Sequence, residues 1–269
     1  MDLSNIKLVV TDLDGTLLNS NHEVSPLFFE LFESLKQHNI LFVAASGRPS
    51  YSITEKLHTI KDDIIIVAEN GGMVISKDKL LLSTPIDTTN LMDIVKLIDD
   101  NNHVHPVYCT ASKAYFSKKS ISNGLLHTLQ EYYPKYSIIE DIKDIKEDII
   151  KIALYHSEDS EKHIYPLFKP FESQYKIKVS GKNWVDISDE LANKGHAINM
   201  LQENYNITED ETLIFGDYNN DIEMLKLATY SFAMENAHDN VLAIANHKTK
   251  SNDDFGVEYI LDKLIKAKL

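Results

Sequence analysis

The sequence predicts an α/β fold: a parallel-sheet core domain with a second, α+β domain inserted into it. Continuous apolar strands separated by helical patterns occur in the first 70 residues and again after about residue 195. This alternation is typical of a parallel sheet covered by helices on both faces. Between the two stretches, adjacent short strands predict an antiparallel sheet. We therefore expect the core at residues 1–84 and 186–269, and the inserted domain at residues 85–185.

Three buried strands and one helix are predicted in the first 70 residues. Apolar runs at 7–11, 40–45 and 64–68 have the continuity of strands that are buried on both faces. Ser25 and Pro26 indicate the start of a helix, as the N-cap and the first helical residue. Apolar residues then recur at helical spacing, so one face of this helix is expected to pack on the sheet.

The middle of the chain has a different order of predicted helices and strands. Helices are predicted near residues 87–100, 121–133 and 159–171, and strands near residues 106–109, 114–117, 149–156, 176–180 and 183–187. Because several short strands follow one another directly, we expect antiparallel pairing. Trp184 lies where this segment returns to the core, and we expect it to serve packing or to support the connection.

After about residue 195, strands and helices alternate again to the end of the sequence. Helices are predicted at residues 195–205, 221–228, 240–245 and 257–265, and strands at residues 212–216 and 230–234. These elements complete the parallel sheet of the core.

Composition limits the possible partners. The net charge of −14 argues against a nucleic-acid surface, which requires clustered lysine and arginine. We expect no membrane partner, because no run approaches the roughly 18 apolar residues of a membrane span. A lone cysteine and an N-terminus without a basic signal region favour the cytoplasm. The oligomeric state is left open.

The most informative motif is Asp12-Leu13-Asp14-Gly15-Thr16, directly after a predicted buried strand. Gly15 permits a turn that brings both carboxylates to one pocket. Such close acids repel one another, and a divalent cation is the usual compensation. Taken alone, the motif is equally typical of an acidic turn.

Polar groups also follow the other predicted strands. Ser46-Gly47-Arg48, Asn70-Gly71-Gly72 and Gly216-Asp217 each stand at a strand end. In open α/β sheets, ligands bind outside the carboxyl ends of the strands. The sequence therefore predicts one site at this edge, built from groups that suit a phosphate or a metal.

With these motifs the chain resembles the haloacid dehalogenase superfamily of phosphatases, in the Cof-type branch. The resemblance is carried in order by Asp12-Leu13-Asp14-Gly15-Thr16, Ala45-Ser46-Gly47-Arg48-Pro49, Lys194-Gly195 and Gly216-Asp217-Tyr218-Asn219-Asn220-Asp221. It spans the whole chain and implies a Rossmann-like core whose inserted domain is a cap. Asp186 departs from the pattern, because many relatives carry glutamate there.

The resemblance implies a magnesium-dependent phosphatase of small phosphorylated metabolites, such as sugar phosphates. Asp12 would be the nucleophile that forms an aspartyl-phosphate. Asp14 would be the general acid and base, and Lys194 would supply positive charge to the phosphate and the nucleophile. The implied Mg²⁺ ligands are Asp12, Asp14 through its carbonyl, Asp217 and, in a supporting position, Asp221. The implied phosphate contacts are Ser46, Gly47, Arg48, Lys194 and Asn220.

Other readings stay open at this point. A phosphomutase on the same framework would keep Asp12 and Asp14. A non-catalytic protein that binds a phosphorylated metabolite is a further alternative, since function resides in the site rather than in the fold. Ser46 could instead cap a helix, Lys194 could be solvated, and Asp221 could be an N-cap.

Overall fold

The computed structural model describes residues 2–77, 79–89 and 91–269. Within these residues two sheets are found, and the first has eight strands in the order β14-β13-β12-β1-β2-β3-β4-β5. Its strands are β1 (Leu8–Thr11), β2 (Leu41–Ala45), β3 (Ile65–Ala68), β4 (Met73–Ser76), β5 (Lys79–Ser83), β12 (Thr212–Gly216), β13 (Tyr230–Ala233) and β14 (His247–Lys248).

The predicted parallel-sheet core is confirmed for the strands from β14 to β3, which pair in parallel with their neighbours. The edge differs, because β4 and β5 are antiparallel to their neighbours. A short connection cannot provide the crossover that a parallel pair needs. The turn at 69–72 therefore returns the chain antiparallel.

The second sheet has six strands in the described chain, in the order β10-β11-β9-β6-β7-β8. They are β6 (His105–Thr110), β7 (Ala114–Ser117), β8 (Tyr136–Ile139), β9 (Ile149–Tyr155), β10 (Lys176–Gly181) and β11 (Trp184–Ser188). The expected antiparallel pairing is found except between β7 and β8, which are parallel. The domain boundaries stay a prediction, and β11 continues in this sheet to Ser188.

Ten α-helices lie in the described residues. They are α1 (Pro26–Gln37), α2 (Ser50–Lys56), α3 (Leu91–Asp99), α4 (Asn123–Tyr132), α5 (Ser160–His163), α6 (Tyr165–Phe168), α7 (Lys194–Tyr205), α8 (Ile222–Leu225), α9 (Asp239–Ile244) and α10 (Gly256–Lys268). No helix among the described residues has the length and apolar character needed to cross a membrane.

Two predicted helices are wrong in extent. The helix expected at 159–171 is broken into α5, α6 and a short 3₁₀ turn. Pro166 and Pro170 lie in this segment, and each lacks the amide that would continue a helix. The helix expected at 221–228 is reduced to the single turn α8. By contrast, Ser25 caps α1 as expected, its hydroxyl accepting a bond from the Phe28 amide at 3.1 Å.

Candidate active site

Asp12 and Asp217 lie beside each other at the carboxyl edge of the first sheet. Asp12 follows β1 and Asp217 follows β12, and the two strands pair in parallel with Thr11 opposite Phe215. The Asp12 amide extends the ladder by donating to the Phe215 carbonyl at 3.1 Å. Two acids separated by about two hundred residues are thus brought to one point by strand pairing.

Lys194 is the first residue of α7, and its side chain is completely buried. Its Nζ lies 2.6 Å from Asp12 Oδ1 and 2.7 Å from Asp221 Oδ1. Burial opposes the charged ammonium, but the carboxylates of Asp12 and Asp221 hold the pKa of Lys194 above its ordinary value. Lys194 is therefore a fixed cation at the predicted nucleophile, and the solvated alternative is wrong.

Asp221 holds the loop after β12 in place. Its second oxygen, Oδ2, accepts hydrogen bonds from the amides of Asp217 at 2.9 Å and Tyr218 at 3.1 Å. Both carboxylate oxygens of Asp221 are thus engaged by the protein. The carboxylate of Asp217 is steadied separately, because Oδ1 accepts a bond from the Thr16 hydroxyl at 2.9 Å.

The three acids form a cluster that suits a hard divalent cation. Asp12, Asp217 and Asp221 each offer an oxygen, and these atoms lie within 4.8 Å of one another. Burial, aided by the charge of Asp221, raises the pKa of Asp217 to about 7. The pKa of Asp12 is likewise raised, by burial first, against the influence of Lys194. Such crowding and an all-oxygen donor set fit Mg²⁺.

Gly15 allows the first motif to approach the acid cluster closely. Its φ of +79° lies in the left-handed region, and a Cβ there would come 2.3 Å from Asp217 Oδ2. Only glycine fits such a position without displacing the carboxylate. The turn that the sequence predicted at Gly15 is therefore required by packing as well as by the backbone.

Asp14 lies at the cavity but is paired with Arg48. Arg48 Nε and Nη2 donate to the two oxygens of Asp14, each at 2.6 Å. His22 Nδ1 lies 3.3 Å from Asp14 Oδ1. Burial alone would raise the pKa of Asp14, but the bonds and charge of Arg48, with a smaller effect of His22, bring it below its ordinary value. Arg48 is thus a partner of Asp14, a relationship that the sequence did not indicate.

The segment Ser46–Arg48 forms a tight loop after β2. The Ser46 amide donates to the Val67 carbonyl at 2.8 Å, and the Arg48 amide donates to Ser46 Oγ at 3.2 Å. The Gly47 amide makes no hydrogen bond to the described part of the chain. Ser46 Oγ donates no hydrogen bond to the described residues, so its proton is available to an incoming anion. Ser46 does not cap a helix here, because the N-cap of α2 is Pro49.

The side chain of Asn220 is part of a series of hydrogen bonds that ends at a carboxylate. Its Nδ2 donates to Asn70 Oδ1 at 3.0 Å, and Asn70 Nδ2 donates to Asp186 Oδ2 at 2.9 Å. Asp186 lies on β11 of the second sheet. The chain of bonds therefore links the loop after β12 to the second sheet through the loop after β3.

A cavity of about 480 Å³ brings these residues together with side chains of the second sheet. Asp12, Asp14, Ser46, Gly47 and Arg48 are among the residues that line it. Residues from or near α4, β9, β10 and β11 also line it, namely Tyr132, Tyr133, Lys151, Ser180, Gly181, Lys182, Asn183, Trp184 and Asp186. Trp184 thus lines the cavity, besides packing edge-to-face against Tyr155 with ring centroids 5.0 Å apart.

The sequence did not single out Glu69 or Lys151, yet both are buried, and Lys151 lines this cavity. Lys151 Nζ lies 2.7 Å from Glu69 Oε2 and 3.8 Å from Asp186 Oδ2. A signal for Lys151 was present, because it interrupts the otherwise apolar run of residues 149–154. A lysine inside a buried strand is rarely tolerated without a partner.

Comparison with known proteins gives one consistent family. Residues 9–261 match the family described as haloacid dehalogenase-like hydrolase. The sequence is 28% identical to the 5-amino-6-(5-phospho-D-ribitylamino)uracil phosphatase YbjI of Escherichia coli K12 over 97% of both chains. A second phosphatase of that name, YwtE of Bacillus subtilis 168, is 27% identical over 97% of this chain and 98% of its own. The structure of SMU.1108c from Streptococcus mutans UA159 has a TM-score of 0.89 at 30% identity, covering 97% of this chain and 99% of that chain.

Proposed function

This chain belongs to the haloacid dehalogenase-like hydrolase family, and from that premise we propose that it is a magnesium-dependent phosphatase of small phosphomonoesters that works through an aspartyl-phosphate on Asp12. One observation carries the proposal. The Asp12 carboxylate, held by Lys194 Nζ at 2.6 Å, lies in an acid cluster at a cavity that Gly47 also lines, and the Gly47 amide has no hydrogen-bond partner among the described residues.

The residues around Asp12 suit the binding of Mg²⁺. Asp12 and Asp217 would supply carboxylate oxygens, and Asp14 would supply its carbonyl. Asp221 would hold Lys194 and the loop that carries Asp217 in place, since Lys194 and two amides already occupy its oxygens. When bound, Mg²⁺ would neutralise charge on the phosphoryl group.

In the first chemical step, an oxygen of Asp12 bonds to phosphorus while the bond from phosphorus to the leaving oxygen breaks. Asp14 gives its proton to that leaving alkoxide. In the second step, Asp14 takes a proton from water as the water oxygen bonds to phosphorus. The bond between Asp12 and phosphorus breaks, and inorganic phosphate and free Asp12 result.

Three groups would hold the phosphoryl oxygens during these steps. The Ser46 hydroxyl and the Gly47 amide can donate hydrogen bonds, and Lys194 supplies a fixed positive charge close to Asp12. Such pre-positioned donors stabilise charge at little reorganisation cost. The net charge of the protein is −14, which opposes the binding of an anion. These local donors and the charge of Lys194 would offset that repulsion at the site. Asn220 is a further expected contact from the same edge.

Asp14 must exchange partners to take part. Its two oxygens are held by Arg48 in this structure, and this pairing keeps the pKa of Asp14 below its ordinary value. To give a proton to the leaving group, Asp14 must first lose at least one of these bonds and take up a proton from solvent. An incoming phosphate would compete with Asp14 for the guanidinium. Arg48 is therefore expected to serve both the substrate and the acid.

For the leaving group, the cavity offers an aromatic wall with polar positions beside it. Trp184 provides a flat apolar surface, and Asn183 and Lys182 provide polar groups. Two relatives are named for a substrate with a phosphorylated ribityl chain on a uracil ring. We infer sugar phosphates, sugar-alcohol phosphates or related metabolites as the substrate class.

A phosphate-release screen over metabolite phosphates tests the proposal. With Mg²⁺ the protein should release phosphate from some of these monoesters, and EDTA should lower the rate by at least about 100-fold until Mg²⁺ is restored. Release without a bisphosphate activator separates the hydrolase from a phosphomutase. Absence of turnover on every monoester, with phosphate still bound, would favour the non-catalytic binding protein instead.

Arg48→Gln should shift the acidic limb of the pH dependence of kcat to higher pH. Without the guanidinium, burial would dominate and the pKa of Asp14 would rise. Asp14 would then ionise only at higher pH, so the acidic limb of kcat, where Asp14 acts as base, should move to higher pH. The measurement is kcat and kcat/KM between pH 4 and pH 9. Arg48→Lys, which keeps the charge, is the matched control and should shift less; profiles that coincide for wild type and Arg48→Gln would refute the coupling.

A further inference from the structure

The loop after β2 has three successive carbonyls, and each is held by a different donor. The Ser46 carbonyl accepts from the Asn70 amide at 3.0 Å, and the Arg48 carbonyl accepts from the Glu69 amide at 3.0 Å. The middle carbonyl, that of Gly47, accepts from Lys151 Nζ at 2.8 Å. Two of the three donors come from the adjoining core loop, and the third comes from β9 of the second sheet.

The core loop that holds the outer carbonyls has an unusual backbone. Glu69, Asn70 and Gly71 have φ values of +51°, +57° and +95°. Consecutive left-handed residues are uncommon, and non-glycine residues adopt this region at a cost. At Gly71, a Cβ would lie 2.2 Å from the Asn193 carbonyl. The conformation directs the amides of Glu69 and Asn70 at the loop after β2.

Lys151 is 2% exposed and Glu69 is 1% exposed, so their ion pair is removed from solvent. Burial opposes the charge on Lys151, but Asp186 and Glu69 hold its pKa above the ordinary value. The ammonium is therefore charged at neutral pH. An ammonium has three protons to donate and no acceptor, and the Gly47 carbonyl lies within its reach together with the carboxylates.

The Gly47 carbonyl belongs to the peptide that also carries the Arg48 amide. Because a trans peptide is planar, its carbonyl and its N–H point in opposite directions. The bond from Lys151 thus directs the Arg48 amide toward Ser46 Oγ, where it donates at 3.2 Å. Glycine has no Cβ to restrict this peptide, so an external bond is what limits its rotation.

We propose that Lys151 is a positioning residue for phosphate binding: from the second sheet, it holds the Gly47 carbonyl and so fixes the peptide whose Arg48 amide bonds to Ser46 Oγ. The Ser46 hydroxyl is thereby oriented to donate its proton to a phosphoryl oxygen. The proposal rests on the proposed function, since it assigns the phosphate site to this loop. It makes the second sheet a structural part of phosphate binding, in addition to any contact with the leaving group.

The test compares phosphate binding in wild type and in Lys151→Met, which keeps an unbranched side chain, shorter by one atom, and removes the charge. Isothermal titration calorimetry with inorganic phosphate in Mg²⁺ should give a dissociation constant raised by about tenfold or more. KM should rise for every substrate by a similar factor, whatever the leaving group. A purely structural loss would lower the active fraction and leave the dissociation constant unchanged.

Lys178→Met is the matched control. Lys178 also reaches from the second sheet to the core, where its Nζ lies 2.8 Å from Glu223 Oε1, but within the described chain it makes no hydrogen bond or ion pair to the loop after β2. Its phosphate dissociation constant should equal that of wild type. An equal rise in both variants, or no rise in Lys151→Met, overturns the proposal.

A second variant guards against misfolding. If Lys151→Met does not fold, Lys151→Met combined with Glu69→Gln removes both charges of the buried pair, and the same rise in the dissociation constant is required. Calorimetry also separates the two proposals. A wild type that binds phosphate without turning over any monoester refutes the hydrolase and leaves this test valid, whereas a wild type that does not bind phosphate overturns the positioning role.

Discussion

Asp12→Asn should lower kcat by about 10⁴-fold or more, because the substitution removes the oxygen that bonds to phosphorus. The amide is nearly isosteric with the carboxylate but is a far weaker nucleophile. Lys194 would remain in place through its second bond, to Asp221 Oδ1 at 2.7 Å. The loss should therefore appear in kcat with the protein still folded. The measurement is steady-state turnover on the best substrate of the screen, with the fold checked by circular dichroism.

A covalent intermediate gives a second readout for this prediction. Wild type quenched in acid during turnover should carry one phosphoryl group on the peptide that contains Asp12, as measured by mass spectrometry. Asp12→Asn should carry none. Asp262→Asn changes a half-exposed side chain of helix α10; it is a matched control and should behave as wild type. A phosphorylated peptide elsewhere, or an active Asp12→Asn protein, would falsify the assignment of the nucleophile.

Lys194→Met should damage both stability and turnover. Lys194 is 0% exposed and is paired with Asp12 and Asp221. Breaking a buried pair by removing one partner leaves uncompensated charge, at a cost of about 3–5 kcal/mol in the free energy of unfolding. The loss of a fixed charge at the phosphoryl group should lower kcat by about 10²–10³-fold. Urea unfolding in EDTA and steady-state kinetics in Mg²⁺ measure the two effects.

Two further variants separate these effects. Lys194→Met combined with Asp221→Asn removes charges of both signs and should regain part of the stability, but not the turnover. Lys266→Met removes an exposed lysine on α10 and should change the unfolding free energy little, because surface ion pairs contribute little. Equal stability of Lys194→Met and Lys266→Met in EDTA would show that Lys194 does not compensate the acid cluster.

The fold class and the strand ends of the core could be predicted because both depend on local patterns. Buried parallel strands are continuous apolar runs, and the predicted strand at 212–216 has the bounds of β12, Thr212–Gly216. Polar residues after such strands must meet at one edge of the sheet. Asp12, Ser46 and Asp217 are therefore placed by pattern and topology together.

The errors in the predicted secondary structure also have local causes. The segment at 159–171 has helical spacing of apolar residues, but Pro166 and Pro170 interrupt the hydrogen-bonded ladder. The hairpin of β4 and β5 was not predicted, because the pair Gly71-Gly72 was interpreted as a strand end alone. In both cases the spacing of apolar residues left the secondary structure ambiguous, and proline or glycine in the backbone determined it.

The sequence by itself determined the parallel core and the chemical character of the site, because the carboxylates and glycines follow the strand ends; Lys194, the first residue of α7, was assigned through the family resemblance. Only the tertiary structure decided which groups pair: Arg48 with Asp14 over 34 residues, and Lys151 with the Gly47 carbonyl over 104 residues. The physical reason is range. Strand and helix periodicities report neighbours along the chain, whereas a buried ion needs a partner in space. The parallel pairing of β1 and β2 brings Arg48 to Asp14, and the approach of β9 to the loop after β2 brings Lys151 to the Gly47 carbonyl.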